Sequence, residues 1–195
     1  DRAIGHRRGN GPGEPVRSDA PAGSASANAV PVPVSVQDPF CLFSASKAIT
    51  AMVVHLLDQR GLLHIGDRVV EYFPEFGRNG KSGITIGQVL SHRAGVPIHP
   101  AAITRLETLH DRRAIIEALA DAKPLFKPGE RQAYHALSGG AILGEVVERV
   151  TGENIRTVLD TEILRPLGFR WLNYGVDAQD AGRVVVNYAT GMPPP

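Results

Sequence analysis

Five apolar residues set the strongest constraint on this chain. Ile49, Met52, Val53, Leu56 and Leu57 recur at i, i+3, i+4, i+7 and i+8, the spacing that lines one face of an α-helix. Gly61 follows at the position a C′ glycine usually takes, so the helix is predicted to stop there. The device recurs downstream. Ile84-Thr85-x-x-Gln88-Val89 carries a capping box with flanking apolar residues spaced for a hydrophobic staple, and Gly95 is expected to end that helix. Residues 112–122 read as a helix that stops before Pro124. Ile142, Leu143, Val146, Val147 and Val150 form another stripe ended by Gly152, and Ile155, Val158, Leu159 and Ile163 a further one before Pro166. The expected molecule is mostly helix joined by Gly/Pro turns, with no internal repeat.

Residues 9–39, "GNGPGEPVRSDAPAGSASANAVPVPVSVQDP", have a different texture. Their Gly, Pro, Ala and Ser content reads as a loop or linker, with Val30–Val36 as a candidate short edge strand. The expected division is therefore an N-terminal segment, 1–39, and a folded region, 40–195. With 43% hydrophobic residues in 195, a sizeable core is within reach, which argues against global disorder. Lys plus Arg is 21 against Asp plus Glu 20, so the chain lacks the electrostatic footprint of a nucleic-acid or anionic-membrane binder. Cys41 is the single cysteine, which rules out an internal disulfide and a cysteine-based zinc site. No apolar run reaches transmembrane length, and location is left open: the lack of a visible signal peptide leans toward the cytoplasm but says little for a start that looks cut. The start, "DRAIGHRRGN", lacks Met and suggests a segment of a longer protein.

Chemistry enters at Ser44-Ala45-Ser46-Lys47. If a helix starts near Ser44, residues i and i+3 are neighbours one turn apart, with Cβ atoms ~5–6 Å from each other. A serine hydroxyl is a weak nucleophile that needs a base within hydrogen-bond reach. A lysine half buried against Phe40, Phe43 and Met52 would have its ammonium disfavoured and could take that proton. Unpaired N–H groups at the helix N-terminus would favour a developing oxyanion. The competing reading is plainer: Ser44 as an N-cap and Lys47 as a solvated side chain. Spacing alone favours the plainer one.

Other constellations are weaker. Ala136-Leu137-Ser138-Gly139-Gly140 narrowly misses the G-x-S-x-G nucleophile elbow, and no histidine follows His135. Gly80-Lys81-Ser82 is similar to the end of a phosphate-binding loop, but Glu75 stands where glycine is needed, so an exposed turn is expected. The seven histidines show no paired ligand spacing, so neither a metal nor another cofactor is expected. Asp67 reads as an N-cap, Tyr72 and Phe73 as core, and His92 as a structural residue packing the turn at Gly95.

Three longer stretches decide between the readings of Ser44. "FCLFSASKAITAMVVHLLDQRGLLHIGDRVVEYFPEF", "ITIGQVLSHRAGVP" and "FKPGERQAYHALSGGAILGEVVERVTG" occur in this order. Together they resemble the serine β-lactamase and penicillin-binding-protein superfamily over about residues 38–172, with the closest likeness to class C β-lactamases and family VIII carboxylesterases. The resemblance implies an α+β, β-lactamase/transpeptidase-like fold of mixed helix and antiparallel sheet, represented here mostly by its helical portion. It also implies Ser44 as the acylated serine, Lys47 as the lysine of S-x-x-K, and Tyr134 as the tyrosine of Y-x-N. Which of Lys47 and Tyr134 is the base at each step stays open.

The sequence departs from that pattern twice. Tyr134-His135-Ala136 lacks the asparagine that would bond a β-lactam side-chain amide, which favours an ester substrate, with His135 read as a surface or structural residue ahead of an added polar group at the site. Nothing after Tyr134 fits the third motif, since Trp171-Leu172-Asn173 is no W-x-G and lies beside the helix-end turn "PLGF". The C-terminal strands and the second oxyanion donor are therefore expected to be missing. The expected function is hydrolysis of a carboxylic ester through an acyl-enzyme on Ser44, with a small ester or amide as the partner. The alternatives are a β-lactamase or D-Ala-D-Ala carboxypeptidase, and a non-catalytic or truncated member that only binds. Oligomeric state is left open.

Overall fold

Ser46 opens the helix that the first apolar stripe predicts, and the chain leaves it at Gly61. The structure is a computed structural model that describes residues 34–97 and 111–187. It divides into two units, residues 44–170 and the segments 1–43 with 171–195.

In the larger unit, α1 spans Ser46–Gln59 and buries Thr50, Val53, Val54 and Leu57. This face is turned about one residue from the predicted stripe: Met52 is 46% exposed, and Ile49 and Leu56 are only half-buried. Thr50 can take a core position because its hydroxyl donates to Ser46 O at 3.2 Å within the helix. Val53, Val54 and Leu57 contribute roughly 1.5–3 kcal/mol each by leaving water. The exit is a Schellman motif. Leu62 N–H donates to Leu57 O at 3.0 Å and Gly61 N–H to Asp58 O at 2.9 Å, with Gly61 at φ +68°.

Helix α2, Ile86–Leu90, carries the expected capping box: Thr85 Oγ1 accepts from Gln88 N–H and Gln88 Oε1 from Thr85 N–H, both at 3.2 Å. Ile84 and Val89, at the staple positions, are both buried. Gly95 does not end this helix, as the sequence suggests; Ser91 does, with its hydroxyl donating to Gly87 O at 2.7 Å. Gly95 serves a later contact. It lies at φ +78°, and a Cβ there would sit 2.6 Å from Phe126 O.

Helix α3, Arg112–Asp121, is capped by Asp111 and stops before Pro124. Helix α4, Ser138–Thr151, buries Ile142, Leu143, Val146 and Val147, and ends at left-handed Gly152. Between them lies a charged seam the stripes do not announce. Glu145 is 6% exposed on the buried face of α4, and its oxygens accept from Arg112 at 3.0 and 3.1 Å and from Arg149 at 2.6 Å. Arg149 reaches on to Glu75 at 3.2 Å. A buried carboxylate is tolerable only with such partners.

The expectation of an exposed turn at Gly80-Lys81-Ser82 is overturned at its centre. Lys81 is fully buried, and its ammonium donates to Arg78 O at 2.8 Å, Ala120 O at 2.7 Å and Ala122 O at 2.5 Å. Asn79 Nδ2 covers Asp121 O at 2.8 Å. The last carbonyls of a helix lack internal partners and carry the negative dipole end, so a cation from a distant turn completes α3.

Helix α5, Ile155–Leu159, widens into a π-turn, Asp160–Leu164, and continues as α6, Arg165–Leu167. The chain thus runs through Pro166 rather than stopping before it. Arg165 N–H already bonds five residues back, to Asp160 O, so the proline ring enters a widened turn instead of a tight i→i−4 ladder. Gly168 at φ +70° then closes the helix in "PLGF".

In the smaller unit, Phe40 and Val185 form an isolated parallel bridge, with Val185 N–H donating to Pro39 O at 2.8 Å. Arg183 stacks over the Trp171 ring, 4.8 Å from its centre. Most of the candidate edge strand Val30–Val36 lies outside the described residues, and Val34–Val36 is loop and turn. Among the described residues the only other β-pairing is the bridge Arg68–Thr85, so they carry the helical part of the predicted fold class.

Candidate active site

Ser44 lies in a short 3-10 turn, Phe43–Ala45, immediately ahead of α1. Its side chain caps nothing: the N-cap of α1 is Ala45, with no side-chain cap bond, so the plainer reading of Ser44 is not what the fold uses. Phe43, just before it, sits at φ +47°, a left-handed conformation that costs a non-glycine residue on the order of 1–3 kcal/mol. Lys47 stands one turn further on, and its ammonium donates to Ser44 Oγ at 3.4 Å. Met52 is itself exposed, so it does not supply the apolar enclosure expected around Lys47.

Tyr134 comes from 90 residues away, and its phenol oxygen lies 2.6 Å from Ser44 Oγ. Either hydroxyl can donate in such a pair. Lys47 Nζ is also 4.9 Å from the centre of the Tyr134 ring. The three residues singled out in the sequence therefore share one exposed cluster. The Lys47 ammonium first, and the Ser44 hydroxyl second, hold the Tyr134 phenol below its ordinary ionisation near 10.

The segment bearing Tyr134 is docked on the turn after α2. Gly129 N–H donates to Arg93 O at 2.8 Å, Gln132 Nε2 to Ser91 O at 3.2 Å, and Ala133 N–H to His92 O at 3.0 Å. Arg93 returns a bond to Gly129 O. His135 is fully buried rather than on the surface. Its Nε2 accepts Val96 N–H at 3.1 Å and its Nδ1 faces Ala133 O at 2.6 Å, so its role is structural. His92 lies closer to the cluster than its reading as a turn-packing residue implies. Its ring meets Tyr134 edge-on at 4.9 Å, and its Nδ1 accepts His135 N–H at 3.2 Å. The signal that could have found it is a polar residue in a Gly-ended turn, because histidine is among the few non-glycine types enriched at positive φ.

The rival residues are occupied elsewhere. Ser138 is fully buried and donates to Val96 O at 2.6 Å, so the near-elbow presents no free hydroxyl. Asp67 caps no helix. Its Oδ2 accepts His64 N–H and the Tyr72 hydroxyl, both at 2.6 Å, and these bonds lower its carboxyl below the usual range. Phe73 is fully buried, and Tyr72 only partly so.

Comparison with known proteins meets this geometry from outside. A sequence model of the Beta-lactamase family matches residues 13–195. The Esterase/beta-lactamase LipL of Mycobacterium tuberculosis is 37% identical over 150 residues, 77% of this chain and 34% of that protein. The crystal structure of a penicillin-binding protein homolog from Caulobacter crescentus matches with TM-score 0.73 at 32% identity, covering 84% of this chain and 44% of the other. A family VIII carboxylesterase matches with TM-score 0.68 at 34% identity, covering 73% and 39%. The chain thus spans between 34% and 44% of the length of these relatives.

Proposed function

Because this chain belongs to the beta-lactamase family, we propose that it is a serine hydrolase that cleaves carboxylic esters through an acyl-enzyme on Ser44. One observation carries the reading: Ser44, Lys47 and Tyr134 meet in one cluster, with 2.6 Å between the two hydroxyl oxygens. The phenol is nearer to Ser44 Oγ than the ammonium is, which favours Tyr134 as the base and Lys47 as the charge that keeps its phenolate accessible.

As Ser44 Oγ bonds to the ester carbonyl carbon, its proton passes to the Tyr134 oxygen. The backbone N–H of Ser44 is placed to meet the tetrahedral oxyanion. Collapse breaks the bond to the alcohol oxygen, which takes the proton from Tyr134. Water then adds to the acyl carbon, gives a proton to Tyr134, and Ser44 leaves with that proton restored. Each transfer is worth about 10²–10⁴-fold in rate.

The ester preference rests on Ala136, a methyl group where a lactamase would place an amide. The Esterase/beta-lactamase LipL is named for both activities, so β-lactam hydrolysis is the second reading. Incubation with a fluorophosphonate probe, a short-chain nitrophenyl ester and a chromogenic cephalosporin separates the two. Labelling and ester turnover that vanish in Ser44→Ala are expected. Persistent labelling of Ser44→Ala would remove the assignment, and turnover of the cephalosporin alone would reverse the order of preference.

A further inference from the structure

The cluster is exposed, and a tyrosine on an exposed loop must be held if its oxygen is to stay within 2.6 Å of a serine. We propose that His92 is the positioning residue of Tyr134: a neutral imidazole that fixes the tyrosine ring by its edge and the following backbone by its Nδ1. The inference rests on the reading of Tyr134 as the base given above.

Three observations converge on His92. Its ring meets the Tyr134 ring edge-on, with centres 4.9 Å apart, and stacks on the buried His135 at 5.8 Å. Its Nδ1 accepts the N–H of His135, the residue directly after Tyr134, at 3.2 Å, while its own carbonyl accepts the N–H of Ala133, directly before, at 3.0 Å. One residue therefore brackets Tyr134 on both sides. It does so from φ +60°, a conformation that points the ring and the carbonyl to the same segment and that disfavours most residue types. Nδ1 can accept only if it carries no proton, so the neutral ring protonated on Nε2 is required. Burial, and then the Lys47 charge, disfavour the imidazolium and so keep that form at neutral pH.

A displacement of ~1 Å in a catalytic group costs about 10²-fold in rate, so loss of the bracket is expected to lower kcat about 10- to 100-fold and leave KM nearly unchanged. It should also release Tyr134 from Lys47. Among the described residues, the titratable groups around the phenol are Lys47 on α1, His92 on the turn, and His135 on its own segment. Of these, the Lys47 ammonium is what lowers its ionisation.

The test follows Tyr134 directly, by NMR titration of ring-labelled tyrosine in the protein, with Tyr134→Phe identifying the signal. In the unaltered protein Tyr134 should titrate below 10. In His92→Phe, which keeps a ring but no acceptor, its titration should rise toward 10. In His92→Asn, which tolerates positive φ and retains an acceptor, it should stay low, with kcat largely recovered. Should the phenylalanine variant not fold, His92→Gly accepts the left-handed backbone and carries the same comparison. A low Tyr134 titration unmoved in His92→Phe or His92→Gly would overturn the positioning role. A Tyr134 that titrates normally in the unaltered protein, or a Tyr134→Phe variant of full ester activity, would instead remove the reading of Tyr134 as the base.

Discussion

Lys47 and Lys81 are the same residue type at opposite ends of helices, and their surroundings assign them different work. Lys47 stands at the start of α1, half-exposed, beside the hydroxyls of Ser44 and Tyr134. Lys81 is buried at the end of α3, where three backbone carbonyls take its ammonium. Carbonyls cannot exchange protons with a cation; hydroxyls can. The first site is thus suited to proton transfer, and the second to closing a helix.

Substitutions can break this contrast. The largest effect belongs to Ser44→Ala, with ester turnover and probe labelling falling on the order of 10⁴-fold or more, since in the proposed reaction one nucleophile serves both steps. Next, Lys47→Met should lower turnover about 10²–10⁴-fold while leaving the denaturation midpoint nearly unchanged. Its pH profile sharpens the point. Activity that needs the Tyr134 phenolate rises with pH through the phenol's ionisation, and without Lys47 that rise should move up toward pH 10. Lys81→Met should do the reverse. It takes the ammonium from the carbonyls of Arg78, Ala120 and Ala122, costs about 2–4 kcal/mol in urea unfolding, and spares turnover per folded molecule. Equal effects of the two lysine changes on stability would dissolve the comparison.

A smaller effect is expected for Glu145→Ala, about 2 kcal/mol in unfolding free energy. The value is below that for most broken buried pairs because Arg112 and Arg149 keep 52% and 31% of their side chains exposed and can turn to water. The smallest belongs to Asp67→Asn. The folded carboxyl ionises below its unfolded value, so its stabilisation is present above pH ~4 and is lost as pH falls through the folded value. The difference in urea midpoint between the two proteins should therefore be steady near neutrality and shrink in acid.

Much of the helical frame was legible because its signals are local. The Thr85–Gln88 capping box, the glycine exits at Gly61 and Gly152, and the stripe Ile142 to Val147 each depend on residues within one or two turns. Errors arose where a distant segment intervened. Gly95 answers to Phe126 rather than to α2. The burial of α1 shifted to Thr50 and Val54, away from Met52, and an equally apolar stripe could not say which side would be covered. Glu145 and Lys81 carry no local mark of burial, since each also needs a distant partner, Arg112 at 33 residues and Ala120 at 39. His135 was readable as a structural residue, but its partner Val96 was not.

By itself the sequence determined the order of the helices, most of their ends, and the one-turn spacing that lets Lys47 reach Ser44. Those follow from bonded geometry, because residues three or four apart on a helix have no choice but to be neighbours. Only the tertiary structure decided that Tyr134 returns to 2.6 Å from Ser44, that His92 brackets it, and that of two lysines each next to a serine one meets hydroxyls and the other carbonyls. The physical reason is solvation: whether a polar group keeps its water or exchanges it for protein partners depends on what folds over it, and that comes from the far end of the chain.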